Sequence, residues 1–398
     1  MKYDVIVIGG GIVGLASAYR ILEAKPNLKL LIIEKESDVA KHQTGNNSGV
    51  IHSGIYYKPG SLKAINCING YNQLINFCDV NGVKYELCGK VIVALNEKEL
   101  PALDNIYARG NDNGLKGIKY LSAEEVKEFE PHVKCIKGIH VPQTGIINYK
   151  DVSAKLLELI KEKGADAKFN EKVVKIEKRN DSNVVITDVL EYESEAVICC
   201  GGLYSDELAS FATDEVNFKI IPFRGEYYKI KKEKEYFVKN LIYPVPDPAF
   251  PFLGVHFTRM IGGGVEAGPN AVFAFSKEGY RKSDINPGEL FASLTYPGFL
   301  KVAAKYWKTG MGEMYRSFSK SAFTHALQKL IPEIQENDLE EGGAGVRAQA
   351  CSKDGKLIDD FLIMQNGKIL NVCNAPSPAA TSSLSIGNYI KDKIINLF

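Results

Sequence analysis

A glycine-rich turn between an apolar strand and a helix most constrains what this chain can fold into. The strand over residues 3–8 leads into Gly9, Gly11 and Gly14, with the spacing G-x-G-x-x-G. A second apolar run ends on Glu34, 20 residues after Gly14. In such a fingerprint the glycines permit a tight turn, close approach to a pyrophosphate and close helix packing, while the acidic residue binds a ribose. The sequence therefore predicts a bound dinucleotide at the start of a helix over residues 15–23.

Length, charge and cysteine spacing narrow the class of protein. The chain has 398 residues, which predicts two domains, and its net charge of +1 argues against nucleic acid as the main partner. Its eight cysteines form no C-x-x-C pair, so we expect no metal and no redox dithiol. No apolar run is long enough for a transmembrane segment. Because the first strand begins at Tyr3, we expect no signal peptide and a cytoplasmic location, with a peripheral position on the inner face of the cell membrane as the alternative.

The remaining apolar patterns alternate between strands and helices. Helical spacing is present over residues 63–81, 97–113, 122–130, 151–163, 287–307 and 311–330. Shorter apolar runs predict strands at 90–95, 172–177, 184–187 and 195–202. The last of these ends on Gly201 and Gly202, as expected of a buried parallel strand that meets a ligand. Residues 219–275 alternate and contain the turn Gly262-Gly-Gly264, which predicts an antiparallel sheet.

These patterns predict an α/β fold with an α+β insertion. We expect a Rossmann-like FAD-binding domain that is discontinuous, and an antiparallel-sheet substrate domain inserted into it. The predicted boundaries are 1–85, 145–215 and 341–398 for the first domain, and 86–144 and 216–340 for the second. FAD fits better than NAD because nucleotide-facing segments far apart in the chain favour a long cofactor lying across the sheet.

Long motifs stand along the chain at residues 42–64, 222–227, 243–248, 251–258, 268–275, 344–350 and 374–382. With the fingerprint and the strand end at 200–205, they resemble the L-2-hydroxyglutarate dehydrogenase/oxidase family, within the D-amino-acid-oxidase superfamily of flavoenzymes. The resemblance spans essentially the whole chain. It implies FAD-dependent oxidation of L-2-hydroxyglutarate to 2-oxoglutarate by hydride transfer to the flavin, with electrons passed to oxygen or a membrane quinone.

The FAD site that this resemblance implies is assembled from distant parts of the chain. Its residues are Gly9, Gly11, Ile12, Val13, Gly14, Glu34, Lys35, Thr44, Asn47, Ser48, Gly49, Val174, Cys200, Gly201, Gly202, Arg347, Pro378, Ala379, Ala380 and Thr381. The loop at 374–383 precedes the last helix. We expect the backbone N–H groups there to stabilise negative charge on the reduced flavin, and the alternative is an ordinary helix cap by Thr381 or Ser382.

Two histidines are candidates for the base. Oxidation of a 2-hydroxy acid needs a group that takes the hydroxyl proton, and a neutral histidine does this near neutral pH. His52, just after the flavin loop, is the first candidate, and His256, in an alternating strand, is the second. The alternative for each is a structural histidine that holds a loop or fills the core.

A dicarboxylate substrate predicts arginine in its pocket. The expected substrate-binding residues are Arg224, Arg259, Arg347, Tyr57 and Tyr227. The alternative for each arginine is an ion pair with a nearby glutamate, such as Glu226 or Glu266.

Other functions stay open at this point. The first alternative is a related flavoenzyme that acts on a D-amino acid, glycine or glycerol 3-phosphate. The second is a non-catalytic flavin-binding redox sensor. A quinone acceptor requires membrane contact, and the region 294–330, with aromatic residues among lysines, is a candidate surface for it. An ordinary amphipathic helix on the substrate domain is the competing interpretation.

Overall fold

Two large β-sheets, one mainly parallel and one mainly antiparallel, organise the computed structural model, which describes residues 1–179, 182–247 and 254–397. Residues 248–253, which include parts of two of the motifs above, lie outside the described residues. Within the described ranges, no helix combines the length and the apolarity that a membrane span requires.

The α-helices are, in chain order, α1 (Ile12–Ala24), α2 (Leu62–Asn81), α3 (Leu100–Asp112), α4 (Ala123–Phe129), α5 (Tyr149–Glu162), α6 (Ser205–Ala212), α7 (Pro287–Leu294), α8 (Pro297–Phe318), α9 (Lys320–Gln328) and α10 (Ala379–Ile395). The strands are β1 (Lys2–Ile8), β2 (Leu30–Ile33), β3 (Val50–Ile51), β4 (Tyr85–Glu86), β5 (Lys90–Ala94), β6 (Lys119–Ser122), β7 (Lys137–Val141), β8 (Gly145–Ile147), β9 (Asp166–Lys168), β10 (Val173–Arg179), β11 (Ser182–Thr187), β12 (Glu191–Cys199), β13 (Phe218–Ile230), β14 (Leu241–Pro244), β15 (His256–Arg259), β16 (Val265–Gly268), β17 (Val272–Phe273), β18 (Leu339–Ser352), β19 (Leu362–Asn366) and β20 (Ile369–Asn374).

The first sheet has the strand order β10-β11-β12-β1-β2-β9, with β20 beside β12 and β19 beside β20. β1 pairs in parallel with both β2 and β12. Because successive side chains in a strand point to opposite faces, Val5 and Val7 pack against α1, α2, α5 and α10, whereas Ile6 and Ile8 pack against the layer of β10, β11 and α6. Both faces of β1 are therefore covered, which explains its nearly continuous apolar sequence.

The second sheet is mainly antiparallel and has the order β17-β13-β16-β15-β14-β5-β7-β6, with β18 beside β13. β13 and β18 pair almost along their whole length, from Phe218 opposite Ser352 to Ile230 opposite Leu339. The chain turns from β15 to β16 through Gly263 and Gly264, whose φ angles are +90° and +89°. This confirms the glycine turn and the antiparallel sheet predicted from the sequence.

One predicted domain boundary differs from the observed sheets. The third segment of the expected FAD-binding domain begins at residue 341, inside β18. β18 pairs with β13 and so belongs to the second sheet, and the chain returns to the first sheet only at β19. The reason is that the alternation of Val346, Ala348 and Ala350 with polar residues predicts a strand but does not indicate which sheet the strand joins.

The helices after residue 287 also differ from the prediction. The predicted helix over 287–307 is broken at Thr295 and Tyr296, because Pro297 is at the first turn of α8 and Tyr296 takes an extended conformation with φ −75° and ψ 119°. The predicted break near residue 309 corresponds to a kink at Tyr306, where φ −111° and ψ 16° interrupt the helical geometry of α8. The predicted helix over 311–330 is interrupted at Ser319, whose extended conformation ends α8 and precedes α9.

Replacing Gly387 with alanine tests the close contact between α1 and α10. A Cβ at Gly387 would lie 2.6 Å from the carbonyl oxygen of Ala16, so the two helices would have to separate. We expect Gly387→Ala to lower the free energy of unfolding by about 1–3 kcal/mol in urea denaturation. Gly310→Ala is the matched control, because an added Cβ meets no atom within 4 Å there and helix propensity improves. Equal stability of the two variants would contradict this interpretation.

Candidate active site

A cavity of about 990 Å³ lies where the carboxyl ends of β1 and β12 meet the second sheet. The fingerprint turn lines one end, and His256 and Arg347 of the second sheet line the other. Its volume is at the upper end of the roughly 300–1,000 Å³ typical of ligand pockets. Ligands of doubly wound sheets bind beyond the carboxyl ends of the strands. The cavity therefore has the position and the size for a long cofactor together with a small substrate.

Two of the fingerprint glycines, Gly9 and Gly14, are required by close contacts within the protein rather than by a ligand. Gly9 has a φ of +110°, and a Cβ on it would lie 2.4 Å from the carbonyl oxygen of Cys200. A Cβ on Gly14 would lie 2.2 Å from the carbonyl oxygen of Gly9. These two positions therefore hold the turn against β12 and allow α1 to start close to it.

Gly11 differs because its free space faces the cavity. A Cβ on Gly11 would approach only the Thr44 hydroxyl oxygen, at 3.5 Å. Gly11 is also the N-cap of α1, and the next N–H, of Ile12, donates to Thr44 Oγ1 at 3.1 Å. The open side of the turn and the positive end of α1 together fit a pyrophosphate, as the fingerprint predicted.

Glu34 and Lys35, at the end of β2, both line the cavity. Glu34 Oε2 accepts from the N–H of Gly10 at 2.6 Å, and its Oε1 accepts from the N–H of Glu36 at 3.0 Å. The Lys35 ammonium lies 2.5 Å from the carboxylates of both Glu36 and Glu278. Glu34 thus stabilises the turn that faces the cofactor, while the charge of Lys35 is paired within the protein.

The same ion pairs explain a group of potential metal ligands. The ligand atoms of Glu36, His42 and Glu278 lie within 4.8 Å of one another. Lys35 pairs with both carboxylates, and the hydroxyl of Tyr204 donates to Glu278 at 2.8 Å. We interpret this group as a network that joins the end of β2 to the inserted segment around residue 278.

Gly49 and Thr381, two of the predicted cofactor residues, are not among those that line the cavity. Gly49 has a φ of +63°, and a Cβ on it would lie 2.4 Å from the carbonyl oxygen of Ile147. Thr381 Oγ1 accepts from the N–H of His52 at 3.1 Å and pairs with the hydroxyl of Tyr149 at 2.8 Å. Both residues therefore shape the loop that carries His52.

All other predicted cofactor residues line the cavity. They are Gly9, Gly11, Ile12, Val13, Gly14, Glu34, Lys35, Thr44, Asn47, Ser48, Val174, Cys200, Gly201, Gly202, Arg347, Pro378, Ala379 and Ala380.

His256 lies in β15 and lines the cavity. Its Nδ1 is 2.9 Å from the carbonyl oxygen of Gly254, and its ring stacks on Tyr243 with the centroids 4.1 Å apart. Since a carbonyl only accepts, Nδ1 carries the proton and Nε2 is the acceptor. Burial lowers the pKa of His256 to about 4, and the positive charges of Arg347 and Lys90 add to this effect.

His52 faces the same cavity from the loop after β3. Its Nε2 lies 3.3 Å from the hydroxyl of Ser377. Burial lowers the pKa of His52 to about 3, and the neighbouring Lys90, His256 and Lys63 lower it further. Both predicted bases are therefore neutral imidazoles at neutral pH.

Lys90 is a buried cation next to these histidines that the sequence analysis missed. It is 2 % exposed, and its ammonium lies 4.5 Å from the ring centre of Tyr56 and 4.8 Å from that of Tyr243. Burial lowers the pKa of Lys90 to about 7. The available signal was a lysine at the first position of the apolar strand β5.

Arg347, Tyr227 and Tyr57 all line the cavity, as predicted. Burial raises the pKa of Tyr227 to about 12 and lowers the pKa of Arg347, because both ionised forms are removed from water. Tyr227 therefore keeps its hydroxyl proton and is available as a donor to a ligand.

Lys63 and Arg109 also line the cavity, although neither was predicted. The ammonium of Lys63 is 2.7 Å from the exposed Asp359, and Arg109 Nη1 donates to the carbonyl oxygen of Tyr56 at 3.0 Å. Both residues lie in amphipathic helices, where nothing in the sequence distinguishes a cavity-facing cation from a solvated one.

Arg224 and Arg259, by contrast, are not among the cavity-lining residues. Arg224 is buried and pairs with Glu226, with its Nη2 2.9 Å from the carboxylate. Arg259 pairs with Glu86, with its Nη1 3.0 Å from Oε2. The structure therefore favours the ion-pair interpretation over substrate binding for both residues.

Residues 4–393 match the family model described as FAD dependent oxidoreductase. The chain belongs to this family of FAD-dependent oxidoreductases, and FAD is its cofactor. It is 57% identical over 399 residues to an L-2-hydroxyglutarate dehydrogenase of Indibacter alkaliphilus, with 100% of both chains covered. It is 44% identical to an L-2-hydroxyglutarate dehydrogenase of Escherichia coli, over 99% of this chain and 94% of that one.

A solved structure confirms the predicted fold. The structure of dithionite-reduced L-α-glycerophosphate oxidase from Mycoplasma pneumoniae with FAD bound superposes with a TM-score of 0.82 at 24% identity. The similarity covers 100% of this chain and 95% of the other.

Gly11→Val tests whether the open side of the turn receives the cofactor. The valine side chain would occupy space that faces the cavity while leaving the backbone unstrained, so we expect a stable protein that loses most of its flavin. The measurement is the ratio of flavin to protein absorbance after purification, with the thermal midpoint of the apoprotein beside it. Gly262→Val, where an added Cβ meets no atom within 4 Å, is the control and should retain flavin. Full flavin content in Gly11→Val would contradict the assignment.

Proposed function

We propose that this protein oxidises L-2-hydroxyglutarate to 2-oxoglutarate. The observation that carries the proposal is one cavity that joins the fingerprint turn to Arg347 and to two neutral histidines. Similarity to two L-2-hydroxyglutarate dehydrogenases over nearly the whole chain supports the choice of substrate. Membership of an FAD-dependent oxidoreductase family supports an enzyme over a non-catalytic redox sensor.

The protein's part in the reaction is to take a proton. Bound FAD supplies the acceptor for the hydride that leaves C2. A neutral histidine takes the proton of the C2 hydroxyl, so that the C–O single bond becomes the carbonyl of 2-oxoglutarate. His256 supports this role through its Nε2 acceptor, and His52 is the second candidate in the same cavity. The rates of flavin reduction by His52→Gln and His256→Gln separate the two candidates, because the rate falls more in the variant that lacks the base.

Cations at the substrate end match a substrate with two carboxylates. Arg347 lies in a low-dielectric wall, where its attraction for a carboxylate exceeds that in water. Lys63 and Arg109 supply positive charge elsewhere on the same cavity. We propose Arg347 for one carboxylate, and Lys63 or Arg109 for the other, with Tyr57 and Tyr227 as hydroxyl donors.

The alternative substrates make different demands on the same cavity. A D-amino acid or glycine carries an amine and a single carboxylate, so it would leave one of the cations of the cavity without a carboxylate partner. Glycerol 3-phosphate fits the cations, so it stays the stronger competitor. The electron acceptor after the flavin is oxygen or a membrane quinone, and the second requires the protein to lie on the membrane surface.

An anaerobic absorbance titration of the holoenzyme tests the function. We expect L-2-hydroxyglutarate to bleach the oxidised flavin spectrum, and its D enantiomer, glycerol 3-phosphate, glycine and D-alanine to leave it unchanged. Bleaching by glycerol 3-phosphate alone would show that glycerol 3-phosphate, and not L-2-hydroxyglutarate, is the substrate. Readmission of air then distinguishes the acceptors, because rapid recovery of the spectrum with formation of hydrogen peroxide identifies oxygen.

Arg347→Met tests the carboxylate assignment. Loss of a charge-assisted bond should raise the KM for L-2-hydroxyglutarate by roughly 10- to 100-fold. Arg259→Met is the matched control, since Arg259 pairs with Glu86 and is not a cavity-lining residue, and its KM should be unchanged. Flavin content is measured for both, because loss of flavin from Arg347→Met would assign the guanidinium to the cofactor. An unchanged KM in Arg347→Met would contradict substrate binding.

The fall of kcat/KM at low pH, its acid limb, tests the effect of the buried positive charges on the pKa values of the histidines. The base works only when neutral, and its pKa is lowered to about 3 or about 4, so activity should be lost only as the pH falls towards 4. Lys90→Met removes a neighbouring positive charge, which raises both histidine pKa values and moves the limb to higher pH. Lys119→Met, an exposed lysine outside the cavity, should leave the limb in place.

Rapid pH-jump assays keep exposure to acid brief in this experiment. A limb near the ordinary histidine pKa of about 6.5 in the unmodified protein would contradict the buried neutral base. An unshifted limb in Lys90→Met would show that its ammonium does not act on the histidines.

A further inference from the structure

Helix α8 of the second sheet's domain is apolar on two faces, and only one of them is covered. Phe299 and Val302 are buried and pack in a cluster with Ile221 and Cys351. Phe299, one of the aromatic residues that suggested a membrane surface from the sequence, is therefore a core residue. A surface helix normally needs one apolar face, so a second one requires a separate explanation.

The outer face of α8 carries large apolar side chains at three- and four-residue steps, which places them in one stripe. The stripe consists of Trp307, Met311, Tyr315 and Phe318, which are 59–71% exposed. Leu300, seven residues before Trp307, is 51% exposed, and the preceding helix α7 adds the exposed Phe291 and Leu294. Scattered exposed apolar residues are normal in soluble proteins, but a contiguous set of this size marks an interaction site.

The charges beside the stripe have one sign. Lys301, Lys305 and Lys308 are all exposed on α8. The only acidic residue in α8 is Glu313, which is buried and accepts from the N–H of Ala271 at 3.0 Å. The exposed part of α8 therefore combines aromatic and aliphatic side chains with lysines, and α8 adds no exposed carboxylate of its own. We call these three lysines, together with Leu300 and the stripe, the outer surface of α8.

We infer that the outer surface of α8 lies on a lipid bilayer that contains anionic headgroups. Tryptophan, phenylalanine and leucine on one face with lysines beside them are the composition of a helix that lies in a membrane interface. Anionic lipids supply the negative charge that α8 lacks. A second copy of the chain fits less well, because a two-fold contact through this surface would bring the lysines of both copies together with no exposed carboxylate of α8 between them.

This inference rests on the proposed function, in which a membrane quinone is one of two electron acceptors. Contact through α8 would bring the enzyme to the bilayer in which such a quinone is dissolved. Attachment by the outer surface of α8 is reversible, since it depends on side-chain insertion and on charge rather than on a spanning helix.

Vesicle flotation of the holoenzyme tests the inference. We expect binding to vesicles of phosphatidylcholine and phosphatidylglycerol in equal amounts, and much weaker binding to phosphatidylcholine alone. Trp307→Gln combined with Phe318→Gln should lower the partition coefficient at least tenfold. Lys301→Gln, Lys305→Gln and Lys308→Gln together should abolish the preference for the anionic vesicles. Added salt should weaken binding to the anionic vesicles, because it screens the attraction between the lysines and the lipid headgroups.

A matched control replaces two exposed apolar residues elsewhere, Val80→Gln with Val189→Gln, and should bind like the unmodified protein. Equal vesicle binding by the Trp307→Gln/Phe318→Gln variant, or no binding by the unmodified holoenzyme, would overturn the inference. A dimer in sedimentation analysis that this variant abolishes would assign the surface to a second copy instead. Flavin bleaching by L-2-hydroxyglutarate, which needs no membrane, is measured for each variant, so failure of the proposed function is seen separately from failure of membrane binding.

Discussion

The parallel pairing of β1 with β12 is the interaction on which the cofactor site depends. It holds the turn after β1 in one conformation, because the N–H of Cys200 donates to the carbonyl of Ile8 at 2.7 Å and the N–H of Gly9 donates to the carbonyl of Ile33 at 2.8 Å. Strands from three parts of the chain thus meet at one turn. Side chains at Gly9 and Gly14 would prevent this meeting, whereas the space at Gly11 is left for a ligand.

The low dielectric of the cavity then determines the protonation states of the side chains that line it beyond the fingerprint turn. Burial disfavours every charged form, so His52 and His256 are neutral and able to accept a proton. Lys90 lies close enough to lower both histidine pKa values further, and Arg347 lowers that of His256. Neutral bases surrounded by positive charge suit an anionic substrate that gives up a proton and a hydride, because the cations attract the anion without protonating the base.

The predictions that depended on local pattern were confirmed more often than those that depended on side-chain direction. Alternation in residues 219–275 predicted an antiparallel sheet, and the apolar run at residues 195–202 predicted a parallel strand, which β12 forms beside β1. Arg224 and Arg259 lie in the predicted strands, yet their guanidinium groups pair with glutamates, one of which, Glu86, is 173 residues away in the chain. A periodic pattern assigns a residue to a face and leaves its distant partner undetermined.

By itself, the sequence determined the dinucleotide-binding turn, the parallel strand at residues 195–202 and the antiparallel insertion, because backbone conformation at glycine and the period of apolar residues are local properties. It also carried the family resemblance that pointed to FAD. Only the tertiary structure decided which cations face the cavity and that Lys90 lies under Tyr56 and Tyr243. It also decided that one face of α8 is uncovered. These features depend on the distance between residues far apart in the chain, which packing alone sets.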